Sequence, residues 1–188
     1  MSRGHVDRGL DAVAQAAQGS KVLSSRVAEL AGRYARVLRG GGTLFFCGNG
    51  GSAADAQHIA AEYVVRYAGN RKAYSAVALT TDSSVLTAAG NDLGYEQVFA
   101  RQVEALCTPQ DLLILHSTSG ESSNLLVAAR RARELRVPTV AFLGRGGGSL
   151  AGVVDEALVV PSDQTNLVQI VHLALEHLIV ELVELELH

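Results

Sequence analysis

The sequence predicts an α/β protein, a three-layer sandwich in which a five-stranded parallel sheet lies between two layers of helices. Two observations predict it. Five short apolar runs, residues 43–47, 75–79, 112–116, 139–143 and 157–160, have the length and continuous hydrophobicity of strands covered on both faces. Between them, residues 52–67, 83–89, 95–106 and 122–135 repeat their apolar positions at helical spacing. This alternation calls for right-handed crossovers, and so for parallel strands.

Taken in order, the chain begins with a helical segment, 1–40, followed by an α/β core, 41–188, the whole forming one domain. Within residues 6–39 the apolar positions Val22, Val27, Leu30, Tyr34, Val37 and Leu38 follow a helical period. Gly19 and Ser20 divide this stretch into two helices, and Gly40-Gly41-Gly42 ends it. The closing stretch, 165–187, is apolar on more than one side. In a chain this small such a helix is expected to be buried between subunits.

Composition excludes several classes. Of 188 residues 48% are hydrophobic and 19% charged, which argues against disorder. The net charge of −3 gives no nucleic-acid footprint. Cys47 and Cys107 form neither a disulfide framework nor a paired-thiol metal motif. The N-terminus lacks the apolar centre of a signal peptide, and no run is expected to reach membrane-spanning length. The expectation is a cytoplasmic protein with no membrane or nucleic-acid partner.

Two strand ends share one chemistry. Gly48-Asn49-Gly50-Gly51-Ser52 follows the first strand, and His116-Ser117-Thr118-Ser119-Gly120-Glu121-Ser122-Ser123 follows the third. Each precedes a helix. Glycine lets the backbone approach a ligand, and the free N–H groups of a helix start attract anions. Ligands of open α/β sheets sit at the carboxyl ends of strands. The hydroxyls of Ser117, Thr118, Ser119 and Ser122 suit a sugar phosphate, whose phosphate and hydroxyls need several donors together. The first loop is neither a dinucleotide fingerprint nor a P-loop.

A second constellation resembles a metal site. His58 and Glu62 are four residues apart and share one helix face. Imidazole with carboxylate suits zinc, and the same spacing also serves a surface hydrogen bond. The last helix adds Gln169, His172, Glu176 and His177. His172 and Glu176 repeat the four-residue spacing and look like natural partners, whereas Gln169 and His177 would stand about 12 Å apart along a helix. Spacing does not choose between the two pairs.

With these motifs in view, namely CGNGGS, D-A-x-H-x-x-x-E, G-N-D, S-T-S-G-x-S and Q-x-x-H-x-x-x-x-H, the chain resembles the SIS (sugar isomerase) domain family over nearly its whole length. Within it the resemblance is to the branch acting on sedoheptulose 7-phosphate. It implies substrate contacts from Asn49, Gly50, Gly51, Glu62, Asn91, Asp92 and Gln169, and a phosphate held by Ser117, Thr118, Ser119 and Ser122. It implies one zinc ion per subunit on His58, Glu62, Gln169 and His177. It also implies a homotetramer with active sites at subunit interfaces. Three positions depart from the family pattern: Asn166 where aspartate is frequent, His116 where a small or aliphatic residue is commoner, and Ala53-Ala54 after the first loop.

The implied reaction converts the ketose to a glycero-manno-heptose 7-phosphate through a cis-enediol, a step toward nucleotide-activated heptose. Glu62 is the expected base and His177 the expected acid. The alternatives are another SIS sugar-phosphate isomerase, or a non-catalytic SIS binding protein of the replication-initiator-associating type. The latter lacks the full set of glutamate and histidine present here.

Overall fold

The computed structural model describes residues 3–188; the first two residues of the N-terminal segment lie outside it. Strands β1 (Leu44–Gly48), β2 (Ala76–Ala78), β3 (Leu112–Ser117), β4 (Thr139–Leu143) and β5 (Glu156–Val159) form one sheet in the order β2-β1-β3-β4-β5. Every pairing is parallel. All residues of β1, β3 and β4 are buried, which is why their sequences are mostly apolar, with Thr139 at the start of β4 and His116 and Ser117 at the carboxyl end of β3 as buried polar exceptions.

Alternate side chains of each strand enter two separate cores. Leu44 and Phe46 of β1, with Leu112 and Ile114 of β3, meet the helices α2 (Ser24–Arg39), α3 (Gly51–Val64) and α7 (Thr165–Leu187). Phe45 and Cys47, with Leu113 and Leu115, face α4 (Ser83–Asp92), α5 (Ala100–Leu106) and α6 (Ser123–Glu134). The first helix, α1 (Arg3–Gly19), lies against α7, and a short 3-10 turn, Ser20–Leu23, separates it from α2 where Gly19 and Ser20 were expected to break the helix.

Three expectations are adjusted. Residues 95–106 are not one helix: a 3-10 turn, Tyr95–Gln97, precedes α5. The helix expected over 52–67 ends at Val64, and the chain then loops to β2. The expectation about membrane length was too strict, because α7 has 23 residues and an 18-residue window of mean hydropathy 1.5, enough to cross a membrane by length and composition. Half of that window is buried within the domain, against α2 and α3.

The strand order opens a crevice at one end of the sheet. From β1 the chain goes to β2 on one side, and only later to β3 on the other. The gap between β1 and β3 is therefore a topological switch point, where the loops leaving the two strands diverge and open a crevice. The two loops singled out in the sequence are those that leave β1 and β3.

Candidate active site

A cavity of about 320 Å³ opens at that switch point. It is lined by Asn49, Gly50, Gly51 and Ser52 from the first loop, by His116, Ser117, Thr118, Ser119 and Ser122 from the second, and by Thr165 and Gln169 from α7. Three helices, α3, α6 and α7, begin at its wall. The positive ends of three helix dipoles and the N–H groups of their first turns give the cavity wall a chemistry that suits an anion. Ser122 is the N-cap of α6, yet among the described residues its hydroxyl makes no capping hydrogen bond. The Ser117 hydroxyl instead accepts from Gly120 N at 3.0 Å and holds the loop's shape.

Two glycines of the first loop serve different ends. Gly50 has φ of 57°, in the region that L side chains rarely adopt. At Gly51 a methyl group would fall on the side-chain amide of Gln169, with 2.9 Å to its Cδ. Asn49 is fixed by a reciprocal amide pair with Asn124: Asn49 Nδ2 donates to Asn124 Oδ1 at 2.9 Å, and Asn124 Nδ2 donates to Asn49 Oδ1 at 2.8 Å. The Tyr95 hydroxyl donates to the same Asn49 oxygen at 3.2 Å. Asn124, Tyr95 and Thr165 escaped the sequence reading, since nothing in their local pattern marks them.

Asn91 and Asp92 are exposed at the end of α4, bonded to each other at 2.7 Å, and do not line this cavity. Tyr95, a little further along, is the residue that reaches the first loop from this region.

Beside the cavity, α3 and α7 run parallel in contact. Gln169 lies over Gly51, and His177 lies over His58 and Glu62. His58 Nε2 is 3.0 Å from His177 Nε2 and 3.3 Å from Glu62 Oε1. The ligand atoms of the three residues all fall within 4.8 Å of one another. Two imidazoles and a carboxylate are a donor set that zinc accepts, and tetrahedral bonds of about 2.0–2.2 Å would put the donors about 3.3–3.5 Å apart. The two separations from His58 Nε2 are close to that spacing, and all three donors are near enough to converge on one ion. Tyr67 stacks on the His177 ring at 5.5 Å between centroids.

The structure separates the two candidate pairs on α7. His172 and Glu176 point into the domain and are fully buried. His172 Nε2 donates to the Leu143 carbonyl at 3.1 Å. Glu176 meets His116 at 2.9 Å, and the His116 ring stacks on Phe46. Burial pushes the Glu176 carboxyl above its ordinary range, with His116 pulling against it. His116, unusual on family grounds, thus has a buried carboxylate as partner. His177 alone of these three α7 residues faces the α3 cluster.

The chain is similar to known proteins over most of its length. The SIS domain family matches residues 11–144. A phosphoheptose isomerase of Akkermansia muciniphila is 54% identical over 151 residues, covering 80% of each chain. One from Bradyrhizobium sp. (strain BTAi1) is 51% identical over 180 residues, covering 96% of this chain and 90% of the other. The solved phosphoheptose isomerase of Neisseria gonorrhoeae superposes with a TM-score of 0.92 at 38% identity, over 97% of this chain and 98% of that one. The switch-point cavity, its two loops and the matched sequence together show that the chain belongs to the SIS domain family.

Proposed function

We propose that this protein is an aldose–ketose isomerase that interconverts sedoheptulose 7-phosphate and a glycero-manno-heptose 7-phosphate. The observation that carries the reading is that α3 and α7, which both begin at the wall of the switch-point cavity, also bring His58, Glu62 and His177 together. The relatives named above are called phosphoheptose isomerases, and their similarity extends over most of both chains.

The phosphate is held by Ser117, Thr118, Ser119 and Ser122 and by the helix starts around them. Asn49, Gly50, Gly51 and Gln169 face the sugar, while Asn91 and Asp92 take part across the assembly. Glu62 removes a C1 proton from the ketose, and His177 gives a proton to O2, producing the cis-enediol. Glu62 then returns a proton to C2 as O1 gives up its own to His177, and the aldose forms. His58, Glu62, Gln169 and His177 would hold one zinc ion per subunit. A bound zinc supplies Lewis acidity toward the carbonyl and the enediolate. A carboxylate engaged by a cation is a weaker base, so Glu62 works best when free of it.

Incubation of the purified protein with sedoheptulose 7-phosphate is expected to yield the aldose, and a strong chelator to abolish the yield until zinc is restored. No aldose under any metal condition would favour a binding-only SIS protein. Replacing Ser119 and Ser122 together by alanine is expected to raise KM more than it lowers kcat, because phosphate binding is shared by ground and transition states. An unchanged KM would move the phosphate elsewhere.

Assembly belongs to the same reading. None of the residues of α1 is buried within the chain. Val6, Leu10 and Val22 are 60%, 64% and 77% exposed, and Leu178, Leu182 and Leu185 of α7 line an apolar groove. A helix without a buried face needs a partner. The form supported is a homotetramer packed through α1, α2 and α7, with active sites at its interfaces. Light scattering is expected to give four chain masses; one chain mass in dilute buffer would sink the tetramer. Both cysteines are free, in keeping with a cytoplasmic location.

A further inference from the structure

We infer that Glu184 and Arg71 form a buried clamp that sets the α3–α7 spacing at the metal cluster, and so act as positioning residues for the metal ligands. The inference rests on the metal reading above and extends it to residues that touch no ligand.

The α3–α7 seam has three levels. Gln169 meets Gly51, His177 meets His58 and Glu62, and Glu184, seven residues on, meets the loop that leaves α3. At this last level the Glu184 carboxylate accepts from three consecutive backbone N–H groups, Tyr67 at 3.0 Å, Ala68 at 3.2 Å and Gly69 at 3.3 Å. It also pairs with Arg71 Nε at 2.6 Å, and the two side chains are 8% and 1% exposed.

Arg71 carries the contact back into the helix that bears the ligands. Its Nη2 donates to the Glu62 carbonyl at 2.6 Å and its Nη1 to the Tyr63 carbonyl at 2.8 Å. These carbonyls lie in the last turn of α3, where no helical N–H remains to satisfy them. The guanidinium also lies 4.1 Å from the centre of the Tyr74 ring, which limits its freedom. A planar fork can bind a carboxylate on one edge and two carbonyls on the other; a lysine cannot.

The clamp therefore reaches the cluster twice. Through Arg71 it holds the backbone of Glu62. Through the N–H of Tyr67 it holds the residue whose ring stacks on His177. One end of the connection is rooted in α7 and the other in α3, the two helices that supply the ligands. Outer groups that orient metal ligands typically contribute 10- to 100-fold in affinity.

The test measures zinc affinity by competition with a chromophoric chelator, and the visible spectrum of the cobalt(II) form, in the full-length protein. Glu184→Gln and Arg71→Lys are expected to lose about 10- to 100-fold in zinc affinity and to alter the cobalt spectrum, though neither removes a ligand. Glu184→Gln leaves a buried guanidinium without its counter-charge and risks misfolding. Arg71→Lys keeps the charge pair, and Tyr67→Leu, at a partly exposed position, breaks no clamp bond and is expected to fold with a smaller loss of zinc affinity. A lower melting temperature of the metal-free variants with unchanged zinc affinity would overturn the inference and leave the pair a purely structural bridge. Wild-type protein that takes up neither zinc nor cobalt would overturn the metal reading, and the clamp with it. Uptake by wild type that Arg71→Lys and Tyr67→Leu both match would overturn the clamp alone.

Discussion

Glu62→Gln is expected to lower turnover by about 100- to 10,000-fold while leaving the fold in place. The substitution removes the charge and the basic oxygen but almost no volume. The Glu62 side chain is 23% exposed, so an uncharged amide there strands no buried partner. Its backbone carbonyl, which Arg71 grips, is unchanged. The loss should therefore be chemical. Glutamine is also the poorer metal ligand, so the comparison needs saturating zinc. Exchange of the substrate's C1 proton with deuterated solvent reports the enediol step itself. Near-normal exchange in Glu62→Gln would remove Glu62 as the base and pass the role to another group in the cavity.

Local features of this fold were legible because local physics made them. Strands covered on both faces are apolar along most of their length, and β1, β3 and β4 appear where the runs lie. The loops after β1 and β3 were legible for the same reason, since each needs its glycines and hydroxyls at one strand end. The edge strand was harder: β2 keeps only Ala76–Ala78, and its Val77 is 39% exposed. The tight turn at Tyr95 was also hidden, because a 3-10 entrance differs little from a helix in its apolar spacing. It follows Gly94 at φ of 95°. Contacts across the chain left no local trace. Asn49 and Asn124 are 75 residues apart, and Arg71 and Glu184 are 113 apart. Which face of α7 meets α3 is a tertiary fact that residue spacing does not carry, and within the sequence only the family resemblance separates His177 from His172.

That separation leads to the second large effect. His177→Gln is expected to lose turnover by at least about 100-fold and to copurify with little zinc, because it removes an imidazole from the cluster. His172→Gln is expected to keep zinc and most activity, and to lose about 1–3 kcal/mol of stability from its packing against Phe142 and His116. Burial lowers the His172 pKa from 6.5 to about 3, with the Leu143 bond opposing and His116 adding to the shift. A ring held neutral in that way cannot supply a proton near neutral pH. The same shift fixes a sign. Between about 3 and 6.5 the unfolded chain takes up a proton at His172 that the folded chain does not. The stability tied to a neutral His172 is thus complete above pH 6.5 and drains away as pH falls toward 3. Glu176, which burial pushes up, titrates with the opposite effect, so wild type must be compared directly with His172→Gln. The variant's melting temperature should fall less steeply on acidification than that of wild type. Parallel acid limbs would show that His172 is not held neutral. An inactive, zinc-free His172→Gln beside an active His177→Gln would reverse the assignment on α7.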